Sequence, residues 1–359
     1  MKIMDSLKWL CGEDNSSKFD LGEEHFFEHA KNQVITEETQ SIILKEEAFS
    51  ASNIKEYPHP SKQKKFLYRP EYLDQYIGQS KAKALVKLNL KKIKELKHVH
   101  FFISGNRGCG KTTLAYIIRN HLGAHLIERI GKQIASNDDI VNIVNEINSF
   151  PEDKQVILFI DEIHSLKPEL CEIFYSIMEQ FTICNKNIKP FILIGATTEK
   201  HKLLKSNAPM IDRFQVKIEL ENYNVDDIEL ILTQVKDQLY KDRELPKDNI
   251  KIIAKNCKFT PRIAISLLED NLIELNIKKI LEYHRIVKDG LTDTDYNILR
   301  VLYENKKPIG AKALSNLIGI NEKDYLQDYE PFLTRKELII PTSRGRTLGV
   351  KGEKLITEV

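Results

Sequence analysis

Apolar and polar positions along this chain fall into blocks, and the period changes from block to block. Over 79–96, Ala82, Leu85, Leu88 and Ile93 recur near helical spacing, which predicts an amphipathic helix. Residues 99–103 are an apolar run of strand length, followed by a Gly-rich turn and a helix from Lys111. Then come a strand at 125–129, a helix at 138–148, a strand at 156–160, a helix at 169–180 and a strand at 191–195. Strands alternating with helices predict an α/β unit whose parallel sheet is covered on both faces. From 225 to 276 the pattern is helical throughout, as in a small lid bundle. Beyond Leu291, helices at 294–304, 311–317 and 322–332 precede an extended 338–341, a turn at 343–346 and an apolar pair, Leu348 and Val350. Three helices and then a β-hairpin is the winged-helix order, a relative of the helix-turn-helix. Before all this, Phe26, Phe27, Ile35, Ile42, Ile43 and Leu44 could line short helices around 23–31 and 37–47. The expected division is an N-terminal extension (1–66), an α/β core (67–222), a helical lid (223–288) and a winged helix (289–359).

A chain of 359 residues is long for one core and suits two or three domains at about 150 residues each. With 42% hydrophobic and 30% charged residues, a globular protein is expected and collagen-like or wholly disordered classes are excluded. No apolar run approaches the roughly 18 residues of a membrane span. Lys8, Glu13 and Asp14 break any signal-peptide core, so a cytoplasmic location is the default expectation. The five cysteines are scattered and none forms a CxxC pair, which argues against a disulfide framework or a zinc site. Residues 1–66 carry 9 basic and 12 acidic groups, while the whole chain is at +2. Any basic surface for nucleic acid must therefore be local.

The candidate chemistry is concentrated at the strand ends. Gly105-Asn106-Arg107-Gly108-Cys109-Gly110-Lys111-Thr112 is a G-x-x-x-x-G-K-[ST] loop between an apolar strand and a helix. Its glycines let backbone N–H groups curl around phosphate oxygens, and the helix dipole points at the same oxygens. Lys111 can reach the outer phosphates and Thr112 can ligate Mg²⁺. Cys109, if partly exposed beside Lys111, would be sensitive to alkylation. Fifty residues after Lys111, the strand at 156–160 ends in Asp161 and Glu162. There Asp161 would hold the metal shell and Glu162 would polarise the attacking water. The strand at 191–195 runs into Ala196-Thr197-Thr198, and Thr198 could fix that water or sense the γ-phosphate. Arg213, within Asp212-Arg213-Phe214, is a candidate arginine finger donated to a neighbouring subunit; a structural Arg–Asp pair is the alternative. Thr260-Pro261 reads as an N-cap and first helical residue, with Arg262 able to face the phosphates.

These motifs, with Arg69-Pro70, Tyr76-Ile77-Gly78-Gln79, Asp161-Glu162-Ile163-His164 and Arg344-Gly345-Arg346, resemble in order and spacing the RuvB family of AAA+ motors. The resemblance covers about residues 67–350. It implies an ATPase of hexameric rings that drives duplex DNA in Holliday-junction branch migration. By residue, it implies that Gly105, Gly108, Cys109, Gly110, Lys111, Thr112 and Thr113 hold ATP. Thr112 and Asp161 would hold Mg²⁺, and Glu162, Thr198, Arg213 and Arg262 would complete catalysis. Tyr76, Ile77 and Tyr223 would shape the adenine pocket, and Arg344 and Arg346 would touch DNA. Arg335 and Lys336 belong to the same local basic cluster, which would supply phosphate contacts; a merely solvated wing is the alternative. His164 reads as structural rather than as a proton carrier. The family docks its partner RuvA through a longer hairpin than the segment 180–189 found here, so a RuvA-like partner does not follow. Ile211 stands where the family has a second arginine, and Pro341 and Ser343 depart from its usual wing turn. Two other readings stay open: an AAA+ loader or remodeller of a protein partner, and a non-catalytic nucleotide-gated binding module.

Overall fold

The computed structural model describes residues 68–95, 99–183 and 186–358; the helices expected at 23–31 and 37–47 lie outside them. Five strands form one all-parallel sheet: β1 (Phe101–Ser104), β2 (His125–Ile130), β3 (Val156–Asp161), β6 (Ile192–Thr197) and β7 (Val216–Glu219). Their order is β2-β3-β6-β1-β7. β4 (Thr182–Ile183) and β5 (Lys186–Asn187) form a separate hairpin with two residues per strand, at the shortened segment. β1, β3 and β6 are apolar because both their faces are covered. On one side Phe102, Leu158, Ile160 and Leu193 pack among Ile140, Ile147 and Phe174. On the other, Phe101, Ile103, Phe159 and Ile194 pack among Val86, Leu114 and Ile118. β7 escapes a reading by apolar runs because it is an edge strand. Val216 and Ile218 are buried while Lys217 and Glu219 are exposed, a period-two signal only four residues long.

Register decides what meets at the sheet's carboxyl edge. Ser104 pairs with Thr197, and Ile160 pairs with Gly195. The residues after β1, β3 and β6 therefore leave the sheet side by side, about 4.8 Å apart from strand to strand.

Helices Val225–Leu239, Lys247–Asn256, Pro261–Ile273 and Ile277–Tyr283 form the lid around Leu232, Ile253 and Leu268. The hairpin of β8 (Ile286–Lys288) and β9 (Leu291–Thr292) leads into the last unit. Its helices Asp293–Asn305 and Ala311–Ile318 match the expected ones closely. The third expected helix is broken into Glu322–Asp324, a π-helical turn at Tyr325–Tyr329, and Glu330–Arg335, which has Pro331 in its first turn. The wing, β10 (Ile339–Thr342) and β11 (Gly345–Leu348), is followed by a helix, Val350–Thr357, that the apolar pattern did not announce. Val350, read with Leu348 as the final apolar pair, is 70% exposed at the start of that helix. No helix of the described residues is long and apolar enough to cross a membrane.

Lid and winged helix are joined by a buried ion pair. Lys258 Nζ lies 2.6 Å from Asp295 Oδ2, and the same oxygen accepts from the N–H and hydroxyl of Thr292, each at 2.7 Å. Asp295 is fully buried. Removing one partner of such a pair strands the other charge. Asp295→Ala is expected to lower the unfolding free energy by roughly 3 kcal/mol, read from urea denaturation.

Candidate active site

The phosphate loop closes because two of its glycines take left-handed backbone angles against close neighbours. Gly110 has φ +91°, and a Cβ there would sit 2.7 Å from the Tyr76 hydroxyl. Gly108 has φ +79°, and a Cβ there would meet the Thr260 methyl at 2.6 Å. The tyrosine rings expected to shape an adenine pocket are buried behind this loop. The Tyr76 hydroxyl donates toward the carbonyls of Cys109 and Gly110, both at 3.3 Å, and the Tyr223 hydroxyl donates to the Cys109 carbonyl at 3.4 Å. Burial pushes both phenols up. They brace the loop; Ile77, next to Tyr76, is half-buried. The Gln79 side chain donates to the Glu221 carbonyl at 2.6 Å and accepts from the Glu221 N–H at 2.9 Å, fixing the exit from β7. The expectation of a partly exposed Cys109 thiol is corrected. The side chain is buried, and burial raises its pKa, leaving it a poor target for alkylation.

Lys111 is buried, and its ammonium donates to the carbonyls of Gly105 at 2.9 Å and Asn106 at 3.0 Å. Burial lowers its pKa, opposed by the charge of Glu162. Thr112 and Thr113, next along the helix Lys111–Leu122, are half-buried. Asp161 ends β3 and accepts from the Glu162 N–H at 3.0 Å; burial raises its carboxyl. Glu162 has left-handed angles (φ 50°, ψ 46°), a strained state for a non-glycine residue. Its carboxylate accepts from the Thr198 hydroxyl at 3.0 and 3.1 Å and from the Thr198 N–H at 3.4 Å. Burial alone would raise Glu162. The hydrogen bonds from His164 and Thr198 overcome that and hold it at about 2.

The structure gives His164 a larger part than sequence suggested. Its Nδ1 lies 3.1 Å from Glu162 Oε2 and 2.9 Å from Thr197 Oγ1, and its Nε2 lies 3.2 Å from Glu199 Oε1. His164 thus links the two acids at the ends of β3 and β6. Glu199 was not singled out, although its place directly after Thr198 was the available signal.

Two cavities of about 490 and 480 Å³ flank the loop. Arg262 and Thr260 from the lid line the first, and Thr198, Glu199 and His164 line the second. Thr260 holds its N-cap position without capping: its hydroxyl donates to the Lys258 carbonyl at 3.2 Å. Arg213 lies away from both cavities. It precedes β7, whose Val216 pairs with Phe101 at the start of β1, whereas the phosphate loop follows the end of β1. Arg213 thus occupies the opposite edge of the sheet. There it stacks 4.1 Å over the Tyr175 ring, donates to the Pro209 carbonyl at 2.9 Å and pairs with Glu179 at 3.0 Å.

The expected basic cluster is divided among different tasks. Arg335 donates to the Tyr223 carbonyl at 2.9 Å and lies 4.1 Å over the Phe259 ring, lining the first cavity. Lys336 donates to the Asp289 carbonyl at 3.0 Å. Burial lowers both, as expected for cations held at a seam. Arg346 is clamped by Glu330 at 2.6 and 3.0 Å. Of the four residues expected on DNA, Arg344, at the wing turn, and Arg335 are exposed, while Lys336 and Arg346 are half-buried.

The comparisons with known proteins follow this geometry. Residues 68–220 match the RuvB P-loop domain, described as that of a Holliday junction DNA helicase, and residues 288–357 match the RuvB C-terminal winged helix domain. The chain belongs to the RuvB family. It is 34% identical over 310 residues to the Holliday junction branch migration complex subunit RuvB of Lactobacillus gasseri, covering 79% of this chain and 88% of that one. It is 30% identical over 307 residues to the same subunit of Mycoplasma genitalium, covering 80% and 97%. The structure of the Thermotoga maritima RuvB Holliday junction branch migration motor superposes with a TM-score of 0.71 at 31% identity, over 80% of this chain and 98% of that one. This RuvB-family chain therefore carries a P-loop ATPase domain and a winged helix.

In a P-loop ATPase, Glu162→Gln is expected to keep nucleotide binding and to lose at least about 100-fold in turnover, measured by phosphate release. The depressed carboxyl of Glu162 also has a stability consequence. Its contribution is complete above the ordinary carboxylate range and is lost as pH falls through about 2. The stability gap between wild type and Glu162→Gln should therefore shrink between about pH 5 and pH 2.

Proposed function

We propose that this protein is an ATP-driven DNA translocase that moves the branch point of four-way junctions. The observation that carries this reading is the convergence of Lys111, Asp161–Glu162 and Thr198 on the loop flanked by the two cavities, one lined by Arg262 of the lid and both by the winged-helix unit. The nucleotide's outer phosphates lie on Lys111 and the loop N–H groups. Thr112 and Asp161 are oxygen donors, the set that suits Mg²⁺, which neutralises charge on the phosphoryl oxygens when bound. No group of three or more His, Cys, Asp or Glu able to hold a metal occurs among the described residues, so Thr112 and Asp161 would hold the ion only together with the nucleotide. Glu162, ionised and aimed by Thr198 and His164, orients the attacking water and accepts its proton. Arg262 stabilises the phosphates from the lid.

Arg213 serves a neighbouring subunit's nucleotide, since it lies at the sheet edge away from its own. A homo-oligomeric ring, hexameric as the resemblance implies, supplies that neighbour. Arg344 at the wing turn contacts DNA phosphate. The hairpin of β4 and β5 offers a RuvA-like partner only two residues per strand, and loading by a different partner fits this better.

Steady-state ATP turnover without DNA, with linear duplex and with a four-way junction tests the reading. The expected order is junction above duplex above no DNA, with Lys111→Ala inactive throughout. Turnover indifferent to DNA would favour the second reading, a remodeller of a protein partner, which the short hairpin and the engaged Arg346 support.

A further inference from the structure

Arg107 is the only guanidinium in the phosphate loop. Its Nη1 lies 3.3 Å from both carboxylate oxygens of Asp328. Asp328 belongs to the winged-helix unit, on the π-helical turn Tyr325–Tyr329. Arg107 lines both cavities, the one reached by Arg262 and the one reached by Thr198. On the same turn, Gln327 Nε2 lies 3.4 Å from Glu199 Oε1, beside Thr198. The break in the third helix thus presents two neighbouring side chains to two different parts of the ATP site. Single π-turns inside helices often mark functional positions.

We propose that Arg107 binds nucleotide phosphate and that Asp328 competes with the nucleotide for it. A guanidinium donates to carboxylate and to phosphate oxygens alike, and here its Nη1 is turned to both oxygens of Asp328, so one Arg107 cannot fully serve both anions. A triphosphate carries more negative charge than one carboxylate and lies among loop N–H groups that already favour anions. It therefore wins the guanidinium and releases Asp328. The Arg107 and Asp328 side chains are 58% and 42% exposed, so the pair is weak and suited to being made and broken in each cycle. Binding linkage is reciprocal: whatever loosens the winged-helix turn from Arg107 tightens nucleotide binding by the same factor. Arg107 and Asp328 thus couple the winged helix to the ATP site. This inference rests on the site binding nucleotide and not on the DNA reading.

The test is a double-mutant cycle on the full chain without DNA, titrated with a fluorescent, slowly hydrolysed ATP analogue. The proteins are wild type, Asp328→Asn, Arg107→Gln, the double variant and Lys111→Ala as the disabled site. Asp328→Asn is expected to tighten binding about two- to fivefold, the range of a partly exposed ion pair. Arg107→Gln is expected to weaken binding by at least a similar factor, and adding Asp328→Asn to it is expected to change nothing more. The inference is overturned if Asp328→Asn has no effect, if it tightens binding equally without Arg107, or if Arg107→Gln binds as wild type does. Wild-type protein that binds no better than Lys111→Ala would overturn the nucleotide reading and this inference together.

Discussion

Everything at this site depends on three parallel strands ending level. The ladders from β1 to β6 and from β6 to β3 fix Ser104 opposite Thr197 and Ile160 opposite Gly195. A slip of one residue in either ladder would carry each apolar side chain of the slipped strand into the opposite core, whose packing it does not fit. Core packing therefore enforces the register, and the register brings the phosphate loop, the paired acids and Thr198 into one crevice. This arrangement is in that sense a by-product of burying Phe102, Phe159 and Ile194.

The acids themselves are tuned by what reaches them from neighbouring strands. Glu162 is bent into a left-handed conformation and then held by Thr198 and His164. That strain costs about 1–3 kcal/mol and persists because several contacts determine the same geometry. His164 also faces Glu199, and Glu199 faces the winged helix through Gln327. A continuous chain of polar contacts thus runs from the Glu162 carboxylate to the third unit. Arg335 adds a further contact of that unit, on the carbonyl of Tyr223 behind the loop.

Much of this was legible in the sequence, because the key residues sit directly beside long apolar runs. The sheet, the loop, Asp161–Glu162, Thr198, the lid and the order of the winged helix could all be placed from pattern and spacing. The features that escaped share one cause: they are set by tertiary partners. β7 is a short edge strand whose identity comes from β1. The helix Val350–Thr357 carries its apolar positions too sparsely to be separated from a strand end. The arginines of the C-terminal cluster look alike in sequence, yet Glu330 claims Arg346 and Phe259 claims Arg335, while Arg344 is left exposed. Tyr76 and Tyr223 were expected at an adenine pocket; their hydroxyls on the loop carbonyls are contacts that only the fold reveals.

The proposal on which the function turns is that each ATP site is completed by an arginine from another copy of the chain. Mixing Arg213→Ala subunits with Glu162→Gln subunits and following ATP turnover tests it most directly. Each variant alone should be nearly inactive, and the mixture should regain turnover, because an intact Glu162 then meets an intact Arg213 across a subunit boundary. A mixture no more active than its two components, under conditions where the subunits co-assemble, would contradict the account.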